Sequence, residues 1–200
     1  IYLISPPELD ISNFLLVIEK IIQKTQISCL RLSLSSTLEN EIVGTITKIR
    51  DALDSSNIPI LIENHYKLVH ELKLNGVHLT DGSRSVKHVR KHLGSDSIIG
   101  AYCGNSRHNA LVAAESGANY ISMGPLSSNK LGNDRVVPIE TFEWWSNFIE
   151  TPIVAEGNLT QDLIEKLISK TDFIAIGHEI WNSKNTELKL NQLISPLKSG

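Results

Sequence analysis

Two short turns in the last quarter of the chain have the residue types of an anion seat. Gly157-Asn158 and Gly177-His178 each follow an apolar, strand-like run. Glycine, or an Asn, at such a position permits positive φ and close approach of the backbone to a ligand. Amide N–H groups there, ahead of a helix, favour an anion such as phosphate. A plain βα turn asks for the same residues, so both readings stand at this point. Other polar clusters also follow apolar runs: Arg31 and Ser33, Glu63-Asn64-His65, His78 with Thr80-Asp81, Tyr102-Cys103-Gly104-Asn105, Gly124, Ser127 to Lys130, and Glu156.

Each histidine has an ordinary alternative. His78, inside Gly76-Val77-His78-Leu79, has the setting of a hydrogen-bonded core histidine. His65 opens a helical run and reads either as a ligand contact or as a solvated cap, and His108 beside Arg107 is either functional or solvent-facing. His88 and His92 share an i, i+4 spacing, but the zincin Glu is missing and no strand end is near, so a solvated face is expected. Trp144 and Trp145 are expected to pack in an outer layer. No Ser-His-Asp arrangement can be ordered.

These residues must be positioned by a repeating scaffold. Eight β-rich runs recur: Ile1–Ser5, Ser28–Leu34, Pro59–Glu63, Gly76–Thr80, Ile98–Cys103, Tyr120–Gly124, Pro152–Gly157 and Asp172–Gly177. They are near-continuous apolar runs, as in parallel strands covered on both faces. Amphipathic runs lie between and after them at Asn13–Lys24, Glu39–Leu53, Lys67–Leu74, Val86–Leu93, His108–Ser116, Ile139–Phe148, Leu159–Ser169 and Leu188–Leu197. Asn105 or Ser106, and Asn158 or Thr160, are candidate caps. Right-handed crossovers in series predict one α/β domain over residues 1–200, a small (β/α)8 TIM barrel of eight parallel strands with outer helices. An open doubly wound sheet lacks its G-x-G-x-x-G signature. In such a barrel, function gathers at the C-terminal ends of the strands, where the polar clusters fall.

Composition bounds the function. The chain has 200 residues, with 19 Lys plus Arg against 22 Asp plus Glu, a net charge of −3. This argues against a bulk-basic nucleic-acid binder or a polybasic membrane-surface protein. Mean hydropathy is −0.05. No run approaches the roughly 18 apolar residues of a membrane span. Cys29 and Cys103 form no C-x-x-C pair, so free buried thiols in a reducing, cytoplasmic setting are expected. The first residue is Ile1 and no signal-peptide pattern opens the chain as given.

Several segments, in order and near family spacing, carry a resemblance. They are Ile1-Tyr2-Leu3-Ile4, Cys29-Leu30-Arg31, Gly76-Val77-His78-Leu79, Ile98-Ile99-Gly100, Glu115 through Ile121, Gly124-Pro125 and Pro152 through Gly157. Together the chain resembles the thiamine-phosphate synthase family and its thiazole tautomerase relatives over nearly its whole length. The resemblance implies a (β/α)8 barrel that takes phosphorylated small molecules. The family's synthases join a pyrimidine methyl diphosphate to a thiazole phosphate, release pyrophosphate and use Mg²⁺. It allows a homo-oligomer.

Carried over residue by residue, the pattern is altered. Arg31 is kept, but Cys29 and Ser33 replace a Gln and a Lys. Asn64 and His65 stand for a metal-binding Asp and a diphosphate-binding Arg, and Ser83 for a second metal Asp. Glu63 and Asp81 are the possible substitute ligands for Mg²⁺. Asn105 falls in the fifth-strand segment, Lys130 in the loop after the sixth strand, Gly157-Asn158 replaces Gly-Gly, and His178 replaces a Ser after Gly177. The implied roles are catalytic for Arg31, His65 and Lys130, and substrate or phosphate binding for Asn64, Asn105, Gly157, Asn158, Gly177 and His178. Three activities follow as expectations: a synthase with a rearranged site, an inactive paralogue that binds a phosphorylated precursor, or a tautomerase-like isomerase using His108, His78 or Glu63 for proton transfer.

Overall fold

The computed structural model describes residues 1–36, 38–128 and 135–198. The strands are β1 (Tyr2–Ile4), β2 (Cys29–Leu32), β3 (Ile60–Glu63), β4 (Gly76–Leu79), β5 (Ile98–Tyr102), β6 (Tyr120–Met123), β7 (Ile153–Glu156) and β8 (Phe173–Ile176). They pair in parallel, in chain order, and β8 closes on β1. The barrel is the one read from the sequence. Its strands are mostly shorter than the apolar runs, because the outer residues of each run leave the ladder to enter the loops.

The helices are α1 (Ile11–Lys24), α2 (Glu39–Leu53), α3 (Leu68–Glu71), α4 (Val86–Leu93), α5 (Arg107–Glu115), α6 (Ile139–Phe148), α7 (Gln161–Leu167), α8 (His178–Trp181) and α9 (Thr186–Leu193). Ser106 and Thr160 cap α5 and α7, each accepting a backbone N–H. Helix α1 starts two residues before the expected Asn13, because Asp10 accepts from the Asn13 N–H at 3.2 Å. The expected last helix ran to Leu197, but α9 ends at Leu193 and a 3₁₀ turn takes Ser195–Lys198. Pro196 has no N–H with which to continue the α ladder.

Alternate strand residues divide the apolar groups into two bodies. Leu3, Leu30, Ile62, Val77, Ile99, Ile121, Ala155 and Ile176 face outward and pack under the helices. Tyr2, Leu61, Tyr120, Val154 and Ala175 face inward, with Ile4, Cys29, Ile98 and Phe173 against them. Trp145 is wholly buried in the outer layer, and its Nε1–H donates to the Thr151 carbonyl at 2.7 Å. Cys29 and Cys103 are free, and burial pushes both thiols up to about 12. Among the described residues, no helix is long and apolar enough to cross a membrane.

Candidate active site

The inward face of the barrel is not apolar throughout. Arg31, near the end of β2, is 5% exposed and reaches across the barrel to Glu156 at the end of β7. Its two terminal nitrogens donate to the two carboxylate oxygens at 3.0 and 3.2 Å, a bidentate pair. Its Nε lies 3.4 Å from Glu63 Oε2, within ion-pair range but without the alignment of a hydrogen bond. Burial alone would depress the guanidinium pKa; Glu156, Tyr2 and Glu63 more than offset this and raise it. Arg31 is therefore a permanent cation shared by two carboxylates.

Below it runs a chain of hydroxyls. Tyr2 Oη and Tyr120 Oη are 2.7 Å apart, and Tyr120 Oη is 2.8 Å from His78 Nδ1. The Tyr120 ring reaches His78 only because Gly100 lies between them in the sheet. A Cβ on Gly100 would stand 2.0 Å from Tyr120 Cζ. Burial, with the charge of Arg31 adding to it, holds the His78 imidazole well below its ordinary value, so it is neutral. Burial raises both tyrosines. His78 Nε2 and Ser122 Oγ are buried without a hydrogen-bond partner among the described residues.

The rim loops are cross-tied. Asn158 Nδ2 donates to the Ser127 carbonyl at 2.8 Å, and Ser127 Oγ donates to the Asn158 carbonyl at 2.9 Å. His178 Nε2 donates to Asn158 Oδ1 at 3.1 Å. The loops after β6, β7 and β8 are thus laced together. Gly157 and Asn158 have the expected positive φ, +89° and +56°. Gly177 does not: its φ is −141°. Its need for glycine is steric, since a Cβ there would lie 3.1 Å from Ile4 Cβ.

Of the residues singled out from the sequence, the fold brings Arg31 to Glu63 and His178 to Asn158. His65 and Asn105 are exposed at the ends of β3 and β5, and His108 is exposed in the first turn of α5. Lys130 lies outside the described residues. Glu156, Tyr2, Tyr120 and Glu179 were not assigned roles from the sequence. Glu156 had a legible signal, a lone acid closing the run Ile153-Val154-Ala155, because a carboxylate entering a barrel requires a cation.

The donors do not fit a Mg²⁺ ion. Asn64 offers an amide, and its side chain is bonded to Thr80: Nδ2 donates to Oγ1 at 2.9 Å and Oδ1 accepts the Thr80 N–H at 3.0 Å. Asp81 accepts from Ser85 Oγ, and Glu63 faces Arg31. Among the described residues, no three acidic, His or Cys groups converge. Octahedral Mg²⁺ wants carboxylate and water oxygens free to turn toward it.

Comparison with known proteins places the chain. A family model described as thiamine monophosphate synthase matches residues 1–180. The thiamine-phosphate synthase of Rhodospirillum centenum is 27% identical over 185 residues, 91% of this chain and 89% of the relative. That of Erythrobacter litoralis is 36% identical over 130 residues, 63% of this chain and 61% of the relative. Among solved structures, a thiamine phosphate pyrophosphorylase from Pyrococcus furiosus superposes with a TM-score of 0.83 at 15% identity, covering 99% of this chain and 95% of that one.

Proposed function

The chain belongs to the thiamine monophosphate synthase family, and on that premise we propose that it is a transferase of thiamine biosynthesis joining a pyrimidine methylene to a thiazole nitrogen at the barrel mouth. The bond between the methylene carbon and the diphosphate oxygen breaks, and its electron pair leaves with the diphosphate. The thiazole nitrogen lone pair then forms the new carbon–nitrogen bond. The intermediate is a pyrimidine cation.

One observation carries this reading. Arg31 supplies one positive charge and Glu156 and Glu63 supply two negative ones, leaving this cluster of three negative by one charge. Fixed carboxylates at the place where positive charge develops lower the barrier, because they need no reorganisation as the reaction proceeds. Arg31 acts here by positioning Glu156 and Glu63. His65, exposed beside Glu63, and Lys130 meet the departing diphosphate. Asn64, Asn105, Gly157, Asn158, Gly177 and His178 shape the binding of the two precursors, a pyrimidine diphosphate and a thiazole phosphate. No step is assigned to Mg²⁺.

Binding without turnover is a second reading, favoured by the commitment of Arg31 to carboxylates and of Asn64 to Thr80. The test is to incubate the protein with both precursors, with Mg²⁺ and with EDTA, and to follow thiamine phosphate and pyrophosphate. Product formation supports the transferase. Calorimetric binding of a precursor without product supports the second reading. Isomerisation of a carboxythiazole phosphate in place of coupling would overturn both.

A further inference from the structure

Several acids around the mouth are already spent. Glu156 takes the two terminal nitrogens of Arg31. Glu179 accepts the Gly177 N–H at 2.8 Å and the Leu159 N–H at 3.1 Å. Asp81 accepts from Ser85 Oγ. Glu63 differs: its side chain is 24% exposed, and it accepts no hydrogen bond among the described residues. Its backbone is nonetheless firmly mounted. The next residue, Asn64, has a φ of +61°, and its amide is bonded twice to Thr80, which ties the end of β3 to that of β4. Glu63 also stands between two buried nitrogens that lack partners among the described residues. On β2, Arg31 Nε lies 3.4 Å from Glu63 Oε2 and is not aligned with it. On β4, His78 is the register partner of Glu63; its Nδ1 is on Tyr120 and its Nε2 is open. Buried polar atoms are nearly always paired, so two open ones flanking an open carboxylate call for an occupant.

We infer that Glu63 is the specificity-determining residue for the pyrimidine partner, and that it selects the ring by its exocyclic amino group. An amino group beside a ring nitrogen presents one acceptor and two donors along a single edge. The open groups of β2, β3 and β4 match that edge in strand order. The ring nitrogen accepts from Arg31 Nε–H, one amino N–H donates to the Glu63 carboxylate, and the other donates to His78 Nε2. That nitrogen is an acceptor when Nδ1 carries the proton and donates to Tyr120. A ring with a keto oxygen in place of the amino group reverses the pattern. It sets a carbonyl against the carboxylate and a ring N–H against the guanidinium, so both contacts become repulsive. The identity of the ring rests on the reading in the preceding section; the preference for an amino edge over a keto edge rests on these three groups. Water in the same place would make no such distinction.

The test uses the full chain and the variant Glu63→Gln, with folding checked by circular dichroism and thermal melting. Each protein is titrated calorimetrically with the hydroxymethyl aminopyrimidine and with its keto counterpart. The unaltered protein is expected to bind the amino ring about ten- to hundredfold more tightly, the worth of a hydrogen bond to a charged group. In Glu63→Gln the ratio is expected to fall below about threefold, because the neutral amide can turn to donate to the keto oxygen. A merely structural role for Glu63 would weaken both rings alike and leave the ratio unchanged. Equal binding of the two rings by the unaltered protein, or the same ratio in Glu63→Gln, overturns the inference and leaves the transferase reading standing. If neither ring binds either protein, the thiamine reading falls, and aminopyridine against pyridone decides. Tighter binding of aminopyridine by the unaltered protein, lost in Glu63→Gln, sustains the role of Glu63; any other result refutes it. Should Glu63→Gln not fold, Glu63→Asp decides by the same ratios, since it withdraws the carboxylate by one methylene.

Discussion

Replacing Glu156 by Leu should strand a cation inside the barrel. Arg31 would keep only Glu63, at 3.4 Å and poorly aligned, while remaining 5% exposed. Removing one partner of a buried ion pair costs about 3–5 kcal/mol, because the survivor stays desolvated. For a chain of this length each kcal/mol shifts the melting temperature by about 2–4 °C, so the loss should read as about 6–20 °C. With a urea m-value of about 2–3 kcal/mol/M, the unfolding midpoint should fall by about 1–2.5 M. The companion change Arg31→Met should cost a similar amount, since it leaves Glu156 buried without its cation. The double variant, Arg31→Met with Glu156→Leu, replaces a pair by apolar groups of similar size and should cost no more than either single change. A coupling energy of at least about 3 kcal/mol is then expected from the cycle, at or above the upper end for contacting residues. Urea titrations of the four proteins measure it. If each single change costs under about 1 kcal/mol and the double equals their sum, the pair is worth no more than a surface contact and the reasoning fails.

Three further outcomes are expected. Because His78 is held neutral in the folded chain and has an ordinary value of about 6.5 when unfolded, acidification below about 6.5 protonates only the unfolded state; stability should then fall by up to about 1.4 kcal/mol per pH unit from this group. Denaturation curves of His78→Asn between pH 5 and 7, values chosen to bracket that ordinary value, should show a shallower slope, and an unaltered slope would refute this. Gly100→Ala puts a methyl 2.0 Å from Tyr120 Cζ, so it should cost at least about 1–3 kcal/mol and change the near-ultraviolet dichroism of the tyrosines. Trp145→Ala removes a wholly buried indole and its bond to Thr151, and a thermal melt should report a loss of about 3–5 kcal/mol.

The barrel was legible because each strand buries both faces and therefore writes an unbroken apolar run such as Ile60-Leu61-Ile62 or Phe173–Ile176. Helix α8 was not, since four residues are too few to show a period. Arg31 and Glu156 each interrupt an apolar run, so a buried pair could have been suspected from the chain alone. That they meet each other, and that Tyr2, Tyr120 and His78 line up, depends on closure of the sheet, which brings residues from β1, β4 and β6 to one axis. Glycine at a strand end permits both positive φ and close approach, and the sequence does not say which; Gly157 has the positive φ and Gly177 the close approach. Glu179 carries no pattern in one dimension: its partners are amides, which every residue but proline owns.

Three of the polar contacts inside the barrel share one property. Tyr2 with Tyr120, Arg31 with Glu156, and His78 with Tyr120 each join β1–β4 to β5–β8. Neither half of the circle satisfies its own interior. A fragment ending before β5 would leave Arg31 with only the poorly aligned Glu63 and His78 without its hydroxyl partner, and its complement would hold a lone carboxylate and a phenol. Half-barrels cut from this chain should therefore be unstable alone and recover order only on mixing, and the whole should assemble in a single cooperative event.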